Sequence, residues 1–209
     1  MKFTVTTVLS ICAFLLSLNL SAAPVYLNFE NISVEVGAGT SAGTFNNTFN
    51  SGQTIDKVID APSADAEEFH NQTTHIWFTA DALGGGLELL FDFGTSYDIS
   101  TLHFWNYTGE AYDVDNINFS FFDSSMNFVD QLTVEPALGT SPGITSQDIE
   151  LAAPINIQFV SAFLTGSNGQ VDFQNIGFTA EVSQVPLPAS LWLFSSCLLG
   201  LAGLSRKSA

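Results

Sequence analysis

The chain has 209 residues, 21 acidic against four basic, and a formal net charge of −17. Such acidity argues against nucleic acid and anionic lipid surfaces as partners, since neither gains from counterion release or attraction. Both cysteines, Cys12 and Cys197, fall in apolar end segments, so residues 24–184 hold no disulfide and no thiol chemistry.

The first 23 residues read as a secretory signal peptide. Lys2 is followed by an apolar stretch from Val8 to Leu20 and by the small residues Ser21, Ala22 and Ala23. Secretion translocon and signal peptidase are the partners this implies. Residues 24–184 then form one exported domain, a length that a single core suits. All 21 acids lie there against Lys57 alone, a formal charge of −20. Export without disulfides points to a bacterial envelope protein.

Within this body no stretch sustains a helical period; apolar residues alternate instead. Residues 37–54, GAGTSAGTFNNTFNSGQT, read as a polar, Gly-rich loop or edge hairpin. LELLFDFG (87–94) reads as a strand ending in a Gly turn, and ISTLHFWNYT (99–108) as the next strand. In INFSFFDS, Ile117, Phe119 and Phe121 share a face; in PINIQFVSAFL, so do Ile155, Ile157 and Phe159. Turn residues separate them: Gly84-Gly85-Gly86, Thr108-Gly109, Asp123-Ser124-Ser125, Ser141-Pro142-Gly143 and Ser167-Asn168-Gly169. With 19 Phe to fill the space between two sheets, these segments predict an all-β antiparallel sandwich of about eight strands. VDFQNIGFTAEV changes parity: Val171 and Phe173 alternate in one phase, Ile176, Phe178, Ala180 and Val182 in the other. A strand cannot do this without a bulge or bend, placed here at Gln174-Asn175, unless two short strands meet at a turn.

At the C-terminus, Leu187 to Leu204 is 18 residues without a charge, long enough as a helix for roughly 27 Å, close to a bilayer core. Arg206 and Lys207 follow as a cytoplasmic stop, so the precursor is expected in type I orientation. Ahead of the helix stand Val185-Pro186-Leu187-Pro188-Ala189, where two prolines keep the chain extended at the membrane face. This arrangement (residues 185–209) resembles the PEP-CTERM sorting signal of Gram-negative bacteria, with Leu187 in place of the family's Glu. The resemblance implies an exosortase-type transpeptidase as partner, an inner-membrane-tethered precursor, and delivery to the cell surface or extracellular matrix. A permanent anchor and a sortase signal, on Leu187-Pro188-Ala189-Ser190-Leu191, are the alternatives.

The order VID, Trp77, LELLFDFGTSYDISTLHFWNY, INFSFFDSS, INIQFVSAFL, VDFQNIGF resembles the discoidin domain, the galactose-binding-like jelly roll of coagulation factor C-type modules, over residues 55–182. By that resemblance Trp77 is a structural core residue. A structural calcium would tie the first acidic loop to the closing strand through Asp60, Asp65 and the amide oxygen of Asn175, hard donors of the kind the ion takes. The family's Asp-Gly is here Asp60-Ala61, and its closing-strand Glu is Asn175.

Signatures of nucleophilic catalysis are missing. Residues 24–184 hold no Cys, no Gly-X-Ser-X-Gly, and only His70, His75 and His103 as imidazole bases. His70 and His75 read as loop residues without a metalloprotease spacing. Aromatics suit sugar faces better. His103, Trp105 and Tyr107 project to one side of their strand, and Phe69 and His70 sit in the 61–76 loop. These five are the candidate ligand-binding residues, against a core role for Trp105. The sequence therefore predicts a non-catalytic exported surface or matrix protein, and the resemblance to the sorting-signal family implies association with extracellular polysaccharide in a biofilm; the alternatives are a coat or adhesion protein, or a glycan hydrolase.

Overall fold

The structure, a computed structural model, describes residues 23–45, 55–70 and 75–183. The signal peptide, the motif Val185 to Ala189, the apolar segment 187–204 and the pair Arg206-Lys207 lie outside the described residues. Among the described residues no helix is long and apolar enough to cross a membrane.

Nine strands follow in order: β1 Val25–Leu27, β2 Ser33–Val36, β3 Gly43–Phe45, β4 Ile76–Ala80, β5 Gly86–Asn106, β6 Asn116–Phe122, β7 Phe128–Val134, β8 Gln147–Thr165 and β9 Gln170–Val182. A 3₁₀ turn at Ile55–Ile59 is the one helical piece among the described residues. Every ladder between the strands is antiparallel. The predicted turns are the loops between the strands from β4 onward. The polar segment after Gly37 supplies an edge strand, β3, on β4.

Two long strands make the sandwich. The first half of β5 lies between β2 and the second half of β8, which also pairs with β6 and so reaches β7. The second half of β5 lies between β9 and the first half of β8, and β9 carries β1 and β4. Each long strand thus passes from one sheet to the other through a bend. In β5 the bend is at Gly94, at φ +66°, a conformation glycine adopts without steric cost. Asp92 Oδ1 accepts the Gly94 N–H at 2.8 Å and holds the corner. LELLFDFG therefore does not end at Gly94; it turns and continues to Asn106. In β8 the crossing falls at the same level, where the β5–β8 register shifts between Asp92–Phe159 and Tyr97–Ile157. This corrects the face assigned to Phe159. Ile157 is buried, but after the crossing Val160, Ala162 and Leu164 take the core side and Phe159 is half-buried on the other.

Alternation elsewhere builds the core as expected: Ile117, Phe119 and Phe121 are at most 1% exposed. Phe178 meets Phe91 and Phe93 edge-on, at 5.3 and 5.0 Å between ring centroids, a geometry the ring quadrupole favours. The parity change in β9 is a bulge within one continuous strand. Trp105 pairs with Asn175 and Asn106 with Phe173, leaving Gln174 as the extra residue. Phe173 and Ile176, on either side of it, both face the core.

Candidate functional site

The bulge sorts the outer face of β9 into two neighbourhoods. Along one, Asn175 and Thr179 run beside His103 and Trp105 of β5. Trp105 is fully buried, packed with Ala61 and Ile144, and its Nε1 donates to the Ala66 carbonyl at 2.8 Å. The 61–68 loop lies over it, stitched to residue 144 by paired backbone hydrogen bonds at Glu68 and Ile144. His103 is 4% exposed. Its Nδ1 lies 2.7 Å from Asp148 Oδ1 and its Nε2 2.8 Å from Thr179 Oγ1. Both residues, predicted as sugar-facing, are buried instead: Trp105 beneath the 61–68 loop, and His103 among Asp148, Thr179 and the Tyr26 ring.

The predicted calcium donors sit at the edge of this region. Asn175 is fully buried and its Oδ1 accepts the Ala61 N–H at 2.9 Å. Asp60 Oδ1 receives Lys57 Nζ at 2.8 Å, and Asp65 is exposed. The closing strand is therefore tied to the acidic loop directly, amide to backbone. Among the described residues no group of three or more His, Cys, Asp or Glu is arranged to hold a metal.

The other neighbourhood lies beyond the bulge. Here Trp77 of β4 stands opposite Asp172 of β9. Ile76 and Phe78 face the core, both 0% exposed, so Trp77 faces outward, half-buried; the core position expected for Trp77 belongs to Phe78. The Trp77 Nε1 donates to Gln170 Oε1 at 3.0 Å, which fixes the indole. His75, Trp77, Tyr107, Tyr112 and Asp172 together line a cavity of about 200 Å³.

The 107–115 loop supplies one wall, and Asn106 organises it. The buried Asn106 amide donates to the Val114 and Ala137 carbonyls and its Oδ1 accepts the Tyr107 and Val114 N–H groups, all within 3.0 Å. A turn closed by the Tyr112 N–H on the Gly109 carbonyl then brings the Tyr112 ring back. Tyr112 stands edge-on to Trp77 at 6.5 Å and to Tyr107 at 6.4 Å. His70 approaches Tyr107 and His75, at 4.7 Å to each ring. Of the five predicted ligand residues, Tyr107 lines this cavity and His70 packs against two of its lining rings, while Phe69 is 58% exposed on the surface of the loop.

Asp172 forms the acidic part of the lining. It is 4% exposed, its Oδ2 is 3.6 Å from His75 Nε2, and its Oδ1 has no hydrogen-bond partner among the described residues. Burial pushes its carboxyl up to about 8. Burial, with Asp172 nearby, also raises Tyr107. Burial and His75 lower His70.

His75, Trp77, Tyr112 and Asp172 escaped the sequence reading. Three carried a signal. IWFTA places Trp77 opposite in parity to Ile76 and Phe78, and VDFQN does the same for Asp172 against Val171 and Phe173. His75 shares the parity of Trp77, one step ahead of the strand. Tyr112 lies in a loop whose course depends on Asn106, and no periodicity marks it.

No family model and no curated protein matches the sequence. Solved structures do match the fold. The F5/8 type C domain of a Bacteroides fragilis protein is similar with a TM-score of 0.53 at 11% identity, covering 77% of this chain and 98% of that one. CBM32-3 from a family 31 glycoside hydrolase of Clostridium perfringens is similar at TM-score 0.51 and 10% identity, over 74% and 94%. The C-terminal domain of a chitobiase from Bacteroides fragilis is similar at TM-score 0.51 and 9% identity, over 77% and 100%. The chain therefore shares the antiparallel sandwich of these discoidin-like domains, the fold that its order of strands resembles.

Proposed function

We propose that this chain is a non-catalytic, exported bacterial surface or matrix protein whose sandwich binds extracellular polysaccharide, with the Trp77–Tyr107–Tyr112 cavity as the sugar seat. The observation that carries this is the cavity itself: three aromatics around a buried carboxylate oxygen that lacks a partner among the described residues. Aromatic faces take the apolar side of a sugar ring, and an unpartnered acceptor takes a hydroxyl. The fold supports the reading, since domains of this fold occur in a glycoside hydrolase and a chitobiase. The two ends support the address: the N-terminal signal and the PEP-CTERM-like tail would have the chain exported, tethered and passed on by an exosortase-type transpeptidase.

A glycan array probed with the full chain and with Trp77→Ala tests the binding. Retained signal in wild type and loss in the variant is the expected result; a silent array, or a variant that binds as well, overturns it. For the address, a reporter fused after Gln184 is expected outside the cytoplasm, and cytoplasmic retention ends that part of the proposal.

A further inference from the structure

The cavity holds an acid that no Lys or Arg among the described residues reaches; the basic group beside it is the His75 imidazole, its Nε2 3.6 Å from Asp172 Oδ2. The groups facing Asp172 are His75, just ahead of β4, Trp77 from β4, and Tyr107, Tyr112 and Asp113 from the 107–115 loop. Asp113 is itself an acid, bridged to Asp172 through the backbone, with Asn106 Nδ2 3.4 Å from its Oδ2. Lys57 is the single Lys or Arg among the described residues, and it is committed to Asp60 at 2.8 Å and Glu68 at 3.5 Å. The walls are aromatic faces, which attract a cation through their quadrupoles. A buried carboxylate oxygen, Asp172 Oδ1, without a hydrogen-bond partner among the described residues, three aromatic rings and no Lys or Arg at hand among those residues together describe a seat for an organic ammonium. The body's formal charge of −20 acts in the same direction, drawing in a polycation and repelling an acidic polymer.

Resting on the carbohydrate-binding reading, we infer that the cavity selects an amino sugar with a free amine, seating its ammonium against Asp172 between Trp77, Tyr107 and Tyr112. The cavity is small beside the roughly 300–1,000 Å³ of sites for drug-sized ligands, which suits one sugar unit rather than a long stretch of polymer. Asp172 supports this with a proton balance. Without ligand its buried carboxyl, raised to about 8, holds its proton near neutral pH. An arriving ammonium favours the carboxylate, so the Asp172 proton leaves to solvent as the ion pair forms. A neutral sugar needs no such release.

Calorimetric titration of the full chain at about pH 5.5, low enough that an amine flanked by a sugar's electron-withdrawing oxygens carries its proton, tests this with two probes: a glucosamine tetramer and its fully N-acetylated counterpart. Running each in two buffers of different ionisation enthalpy counts the protons released. The expected result is at least about tenfold tighter binding of the free amine, with release approaching one proton per ligand, and no release with the acetylated probe. Asp172→Asn is expected to bring the two probes within about twofold and abolish the release. Equal or tighter binding of the acetylated probe overturns the inference and leaves polysaccharide binding standing. So does amine binding that survives in Asp172→Asn with no proton released, which would place the cation on the diffuse surface charge. Failure of both probes overturns the inference too, and with a silent glycan array the carbohydrate reading falls with it. The wild-type comparison of probes and protons decides the matter even where the variant folds poorly.

Discussion

Two aromatic groups stand on the same outer face of one sheet, and they have opposite fates. Trp105 is sealed beneath the 61–68 loop and bonded to it, with His103 buried beside it. Trp77, with Tyr107 and Tyr112, lines a cavity that stays open among the described residues. Residue type does not separate them, since each group pairs an indole with histidine and a nearby acid. What separates them is the cover. The loop over Trp105 is anchored along its length, by Asn175 reaching Ala61, by Ser146 Oγ donating to the Ala64 carbonyl, by the Trp105–Ala66 hydrogen bond and by the Glu68–Ile144 pair. The 107–115 loop beside Trp77 is anchored at its base by Asn106 and holds Tyr112 at the rim. One cluster has become core, and the other is a surface with shape.

The comparison can be broken most forcefully at Trp105. Trp105→Ala removes a fully buried indole and is expected to cost about 3–5 kcal/mol, read as a fall in chemical-denaturation midpoint. A cost near zero would mean that the loop does not seal this face. Asn175→Ala leaves the Ala61 N–H without its acceptor and is expected to cost about 1–3 kcal/mol, with faster amide exchange across residues 61–68. Unchanged exchange there would show that Asn175 is not the tie.

Asp172 sharpens the other half. Its folded carboxyl is raised to about 8 from the ordinary 3.8, so between those values the folded state holds a proton that the unfolded chain has lost. The associated stability is complete below about 4 and is lost as pH rises through about 8. Asp172→Asn is expected to flatten that decline and to stabilise the protein by about 1–3 kcal/mol at alkaline pH, seen as melting temperature against pH. A decline that stays the same in the variant would assign it elsewhere. Trp77→Ala is expected to give the smallest change in stability, under about 1 kcal/mol for a half-buried side chain, while removing glycan binding. A loss as large as that at Trp105 would make Trp77 a core residue after all and erase the contrast.

Period-two alternation and the supply of Phe were enough to determine an all-strand sandwich, because burial on a pleated sheet demands that pattern wherever one face meets a core. The parity change at Gln174 was legible for the same reason: a bulge is the only way for Phe173 and Ile176 to face one core from a single strand. The bend at Gly94 and the reversal at Phe159 were not legible, since a strand that crosses between sheets alternates locally like any other. Above all, alternation tells which residues point away from the core, not what lies over them. Whether an outward tryptophan meets a loop or open space depends on contacts such as Asn175 to Ala61, 114 residues apart in the chain. Tertiary structure decided that, and so decided which aromatics form the site.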